Sequence, residues 1–214
     1  MSNIIETTED TVTSTIERLA TGEELRAIAD PERRLKAAAE VVERAEAASK
    51  AARLRRDAAA IELFRTGLPA VRVWKDTINV SRTLWGRILD QVDPDYVATL
   101  RIELGEAEAA GRSTAALRRK LARTEELAET IDALRAELAG VTGEELAEAL
   151  RVIAAQAAEA VRRHDELAEA AVPVRNETAH GLISNEYGYL LSNADVSRMA
   201  RVTTARVAQL RKSY

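Results

Sequence analysis

Between Pro31 and Arg65 the chain contains no glycine and no further proline, and most residues there are Ala, Leu, Glu, Arg or Lys. These residue types have high helix propensities, so the stretch predicts one long helix. Asp30 is a favourable N-cap before a proline at the first helical position, and Thr66-Gly67 is typical of a helix end. No segment shows the apolar–polar alternation of a half-buried strand. The expected fold class is therefore all-α.

A helical hairpin is expected in the second half of the chain. Residues 113–139 and the residues after Thr142 carry leucine stripes at helical spacing, and Gly140 separates them. A short connection favours antiparallel neighbours. Proline disrupts helix interiors, so Pro173 is expected to end the second helix, with a new helix over 174–186. Shorter helices are predicted at 11–20, after Thr21 and from Asp93 to about Gly111.

Two segments, 74–88 and 196–210, align without a gap, because residue n of the first corresponds to residue n + 122 of the second. Both carry apolar residues at their first, fifth, seventh, twelfth and fifteenth positions. These residues are Trp74, Ile78, Val80, Trp85 and Ile88 in the first segment and Val196, Ala200, Val202, Val207 and Leu210 in the second. Packing in the core is the favoured interpretation of Trp74 and Trp85, ahead of base stacking, because aromatic residues dominate such small cores.

The spacing of these residues predicts two short helices joined by a tight turn. Apolar residues four apart form one face of the first helix, and a turn residue, Asn79 or Arg201, follows them. An apolar residue then packs between the helices, and Ser81 or Thr203 caps the second helix. Asn tolerates a left-handed turn, whereas Arg adopts it at a cost of about 1 kcal/mol.

These segments resemble bacterial helix-turn-helix DNA-binding proteins of the high-GC type, whose core reads G-V-S-x-x-x-V-x-x-L. Asn79-Val80-Ser81 and Arg201-Val202-Thr203 occupy the place of G-V-S, and 54–67 resembles the scaffold helix before the motif. The resemblance covers roughly 53–91 and 174–212. Thr21–Leu25 also recurs as Thr142–Leu146, at nearly the same offset, which indicates an internal duplication. The resemblance implies two helix-turn-helix heads connected by long helices.

The resemblance also implies which side chains contact DNA. The second helix of such a motif lies in the major groove, where Arg can pair with guanine and Gln with adenine. Arg206 and Arg211 suit phosphate contacts. The implied DNA-binding residues are Ser81, Arg82, Thr83 and Arg87 in the first motif and Thr203, Thr204, Ala205, Arg206, Gln209 and Arg211 in the second.

The charge distribution agrees with this interpretation although the chain has a net charge of −4. Residues 53–91 carry eight basic and four acidic side chains, and residues 193–214 carry five basic and one acidic side chain. Local charge rather than net charge attracts phosphates.

The expected organisation is an N-terminal helical segment, 1–52; a first helix-turn-helix domain, 53–91; a helical linker or coiled coil, 92–172; and a second helix-turn-helix domain, 173–214.

The predicted function is sequence-specific binding of double-stranded DNA by a transcriptional regulator. Two alternatives stay open: a plasmid or phage partition or architectural protein that bridges DNA, and a helical interaction module that binds no DNA. The leucine and alanine stripes also permit a homodimer through the long helices.

With no Cys, no phosphate-binding glycine loop and no nucleophile elbow, the sequence predicts neither an enzyme nor a cofactor or metal site. No apolar run suggests a membrane span, so a cytoplasmic, nucleoid-associated protein is expected.

Overall fold

The computed structural model describes residues 21–213, and every regular element in that range is helical. The helix predicted at 11–20 lies outside the described residues. The elements in chain order are α1 Gly22–Arg26, α2 Pro31–Arg65, a π-helix Arg72–Thr77, α3 Arg82–Asp90, α4 Pro94–Ala109, α5 Ala115–Glu137, α6 Gly143–Ile183, α7 Asn193–Ala200 and α8 Thr204–Ser213. The all-α prediction is confirmed for this part of the chain.

The ends of the first two helices follow from local sequence, as predicted. Thr21 forms a capping box with Glu24 at the start of α1: each side chain accepts a hydrogen bond from the other residue's backbone N–H. The carboxylate of Asp30 accepts hydrogen bonds from the backbone at the start of α2, including one of 2.9 Å from Glu32. Gly67 follows the end of α2 with a φ of 95°, a left-handed value that glycine adopts without strain.

The expected helix break at Pro173 is wrong. Helix α6 continues through Pro173 over 41 residues. The residues on either side explain why: Ala171 and Val174 are buried in one core cluster, while Pro173 itself is exposed. Packing of this face of α6 outweighs the missing N–H and the steric cost of the ring.

Residue contacts divide the chain into two compact units. The discontinuous unit contains described residues 21–48 and 163–213, and the central unit contains residues 49–162. Helices α2 and α6 each contribute one segment to each unit, and the two segments pack antiparallel inside each unit. The discontinuous unit is therefore assembled from two distant stretches of sequence.

The core of the central unit joins α2, α5 and α6 to the first of the short helix pairs. Small residues of α2, Ala58–Ala60, allow close approach of the neighbouring helices. Both helices of the predicted hairpin contribute to this core. The buried apolar members beyond α2 are Val73, Ile78, Trp85 and Ile88 of the first pair, Leu127, Ile131 and Leu134 of α5, and Leu150 and Ala154 of α6.

Two adjoining clusters make the core of the discontinuous unit. In one, Leu25 of α1 packs with α2 and with Ala171 and Val174 of α6. Helix α1 lies so close to α6 that a Cβ atom at Gly22 would be 3.1 Å from the carbonyl oxygen of Ala170. In the other cluster, Leu35 of α2 packs with the end of α6 and with the second helix pair. The other buried members of that cluster are Ala179, Leu182, Ile183, Val196, Ala200, Val207 and Leu210.

Because Pro173 is exposed inside a helix, replacing it with alanine should stabilise the protein. Pro173→Ala restores a backbone donor and removes a steric clash without removing buried contacts, so we expect the free energy of unfolding to rise by about 1–3 kcal/mol. Urea unfolding followed by circular dichroism measures this change. Pro94→Ala is the matched control, since Pro94 is at the start of α4, where proline is well tolerated. An unchanged or lower stability of Pro173→Ala would contradict the argument.

The buried imidazole of His164 should make stability depend on pH. Burial lowers the pKa of His164 below its usual value of 6.5. The charge of Asp165 raises this pKa and that of Arg163 lowers it, and both effects are smaller than that of burial. The folded state therefore binds the proton more weakly than the unfolded state, so the free energy of unfolding should fall as the pH drops below about 6.5. Urea unfolding at several pH values measures the slope. His164→Gln should flatten the slope, and the control His180→Gln should retain the part contributed by His164; equal slopes for the parent and His164→Gln would overturn the assignment.

Candidate nucleic-acid interface

The first helix pair consists of the π-helix, a one-residue left-handed turn and α3. The N–H of Ile78 donates to the carbonyl oxygen of Val73 at 3.1 Å, and Asn79 then adopts a φ of 50°. The next N–H, that of Val80, donates back to the carbonyl oxygen of Trp74 at 2.8 Å. Ser81 caps α3, because its hydroxyl accepts a hydrogen bond of 3.1 Å from the N–H of Leu84. The predicted turn and cap are confirmed.

The second helix pair, α7 and α8, repeats the left-handed turn and the capped second helix, although its first helix is α-helical and not a π-helix. Arg201 adopts a φ of 52° at the position equivalent to Asn79. Val202 follows it and is half-buried, like Val80. Thr203 accepts a hydrogen bond of 3.2 Å from the N–H of Arg206 at the start of α8. Since α3 and α8 begin at equivalent residues, Arg82 and Thr204, the repeat seen in the sequence is also a repeat of local structure.

The predicted core positions of both pairs are covered. Trp85 is 4% exposed, and its ring packs edge-on against Phe64 of α2 with 5.8 Å between the ring centroids. That burial makes Trp85 a packing residue and excludes stacking on a base in this conformation. Trp74, Val80 and Val202 are half-buried against their cores. The remaining core positions are buried: Ile78, Ile88, Val196, Ala200, Val207 and Leu210.

All side chains predicted to contact DNA are exposed, and each set lies on or directly before the second helix of its pair. The first set is Ser81, Arg82, Thr83 and Arg87 at α3, and the second is Thr203, Thr204, Ala205, Arg206, Gln209 and Arg211 at α8. The first set belongs to the central unit and the second to the discontinuous unit. Each unit thus has its own candidate surface.

The first pair presents four exposed cations. Among the residues that the structure describes, the side chains of Arg82 and Arg87 make no ion pair. The same holds for Arg72 and Lys75 on the π-helix, which the sequence-based list missed. Their signal in the sequence is two basic residues one helical turn apart, at the start of the motif. The first helix of a helix-turn-helix unit crosses the DNA backbone, so these two positions suit phosphate contacts.

The second pair has five basic residues and the first has four, but more of the second pair's cations are engaged. Arg198 pairs with Asp195, and Arg201 pairs with Glu43 of α2. The guanidinium of Arg206 donates a hydrogen bond of 3.3 Å to the side-chain oxygen of Gln209. Arg211 and Lys212 make no ion pair with the other described residues. The first pair therefore has more cations without a described partner, although the second pair has one more basic residue.

Charges on the long helices also act on the second pair. Arg175 of α6 is half-buried, and burial lowers the pKa of its guanidinium. The like charge of Arg206 lowers this pKa further, whereas Glu46 of α2 raises it. Arg175 of α6 and Arg206 of α8 thus repel each other.

The described residues meet the requirements of neither a metal site nor a membrane-spanning helix. No group of three or more His, Cys, Asp or Glu side chains within 21–213 is placed to hold a metal ion. None of the described helices combines the length and apolar composition needed to cross a bilayer. Comparisons of the chain with protein-family models, curated proteins and solved structures each gave no match. The interpretation of the two helix pairs therefore depends on their residues and geometry.

The left-handed conformation of Arg201 gives a test of the turn geometry. Arg201→Gly should raise the free energy of unfolding by about 0.5–1 kcal/mol, because glycine adopts positive φ without the steric cost of a Cβ atom. The lost ion pair with Glu43 is exposed at both ends, so it should offset only part of this gain. Asn79→Gly is the matched control and should gain less, since Asn tolerates this conformation. Urea unfolding compares the two; a loss of stability for Arg201→Gly would show that the ion pair outweighs the strain.

Proposed function

We propose that this protein binds double-stranded DNA in a sequence-specific manner and acts as a transcriptional regulator, with α3 and α8 as the recognition helices of two helix-turn-helix heads. The observation that carries the proposal is a local geometry that occurs twice. In both pairs a left-handed residue, a half-buried apolar residue and a hydroxyl cap precede a helix with an exposed polar face. This arrangement holds the second helix against a core and leaves its outer face free to enter the major groove.

The exposed side chains fit the chemistry of the major groove. Arg82 and Arg87 present planar guanidinium groups, which can form paired hydrogen bonds with the O6 and N7 atoms of guanine. Arg72 and Lys75 are suited to phosphates on the flanking backbone. On α8 the amide of Gln209 suits adenine, and its hydrogen bond with Arg206 restricts its orientation. The two heads should therefore recognise different half-sites.

A bridging or partition role is the second candidate, and one observation favours it. The two recognition helices belong to different units, each with its own core, so each head has the support to bind a duplex separately. Mapping the sites occupied in the cell separates the candidates. Scattered promoter sites support regulation, and clustered repeats near an origin support partition. A helical interaction module would show no salt-dependent binding of duplex DNA.

Substitution of Arg82 and Arg87 tests the first head. After selection of bound sequences from a random duplex pool, Arg82→Ala or Arg87→Ala should reduce discrimination at one or two base pairs. The expected loss is about 1–3 kcal/mol for each paired contact. A competition assay between the selected site and its single-base variants measures this loss. Arg101→Ala, which removes an exposed cation from α4 of the same unit, is the control and should leave discrimination unchanged.

The tryptophans supply an independent readout, because both belong to the first pair. Binding of a duplex by this head should change the fluorescence of the half-buried Trp74.

If Arg82→Ala and Arg87→Ala both retained full selectivity in the competition assay, α3 would not read the bases.

A further inference from the structure

A run of five cations without an intervening acidic residue lies outside both helix pairs. Residues 109–124 contain five basic side chains and no acidic one, although Glu108 and Glu125 flank them directly. The run covers the turn after α4 and the first part of α5. The net charge of the whole segment 92–172 does not reveal this run, because that segment carries ten basic and seventeen acidic residues.

Two of the five cations have acidic partners. Arg118 forms an ion pair of 2.8 Å with Glu108 across the α4–α5 turn. Arg123 lies 3.7 Å from the buried carboxylate of Asp57. The other three are Arg112, Arg119 and Lys120, which are exposed and make no ion pair with the other residues that the structure describes.

The stability of the fold does not account for these three cations. Arg112 occupies the exposed turn, and its backbone N–H, not its side chain, closes the end of α4 through a hydrogen bond of 2.9 Å to Ala107. Arg119 and Lys120 lie in the second turn of α5, directly after Arg118, and neither makes an ion pair with another described residue. A polyanion bound at this surface would reduce the repulsion among these adjacent cations.

We propose that Arg112, Arg119 and Lys120 bind the phosphate backbone of duplex DNA, as a surface additional to the two helix pairs. This inference rests on the proposed DNA-binding function. The surface belongs to the central unit, which also contains the first helix pair. It supplies sequence-independent contacts, because guanidinium and ammonium groups bind phosphate oxygens regardless of the base. Each contact releases condensed counterions, so the surface contributes directly to the salt dependence of binding.

The test measures binding of the full-length chain to a labelled duplex between about 50 and 200 mM salt. Arg112→Gln/Arg119→Gln/Lys120→Gln should weaken binding more than about tenfold and reduce the magnitude of the salt slope by about two to three, since each phosphate contact contributes about 0.9. The matched control, Arg33→Gln/Lys36→Gln/Arg101→Gln, removes three other exposed cations and the same net charge. It should retain the salt slope of the parent. Arg82→Ala/Arg87→Ala is measured alongside.

The possible results separate this inference from the proposed function. If the triple variant matches its control while the Arg82/Arg87 variant loses binding, the surface is not used and the helix-pair assignment stands. If the triple variant loses binding while the Arg82/Arg87 variant binds like the parent, the surface is used and the first head is not. Failure of the parent to bind duplex, or binding of single-stranded RNA alone, overturns both proposals.

Discussion

The antiparallel packing of α2 against α6 is the contact on which both units depend. Alanine is the most frequent buried residue type of the two helices in each unit, as at Ala38 and Ala58 of α2 and Ala154 and Ala171 of α6. Small side chains permit a short distance between helix axes, and they leave little space for anything larger. Because each helix contributes to both units, neither unit has a complete core without both of them.

The long helices also determine how the helix pairs are held. The first pair follows α2, and Trp85 packs on Phe64 near the end of that helix. The second pair follows α6, and its core includes Leu35 from the start of α2. A helix pair of this size has a small core of its own, so these additional contacts supply rigidity that a recognition surface needs.

The duplicated pairs share the left-handed turn and the capped second helix, but they differ in surface chemistry. Asn79 and Arg201 adopt nearly the same left-handed conformation, although Asn does so with less strain. The cap and the half-buried valine that follow are also retained. The exposed positions differ, with Arg87 in one pair and Gln209 in the other. The requirements of the turn and core are thus met twice, while the outer faces are free to recognise different partners.

The sequence by itself determined the all-α class, the bounds of α2, the two left-handed turns and the caps at Ser81 and Thr203. These features depend on interactions within a few residues, which propensity and spacing describe well. It also predicted which side chains of the pairs are exposed, because apolar spacing defines a face. Only the tertiary structure decided the continuity of α6 through Pro173 and the division into interleaved units. The tertiary structure also decided which cations form ion pairs. Arg201 pairs with Glu43, whereas Arg72 makes no ion pair with any described residue. These outcomes depend on contacts between residues far apart in sequence, and no local pattern encodes the energy of such contacts.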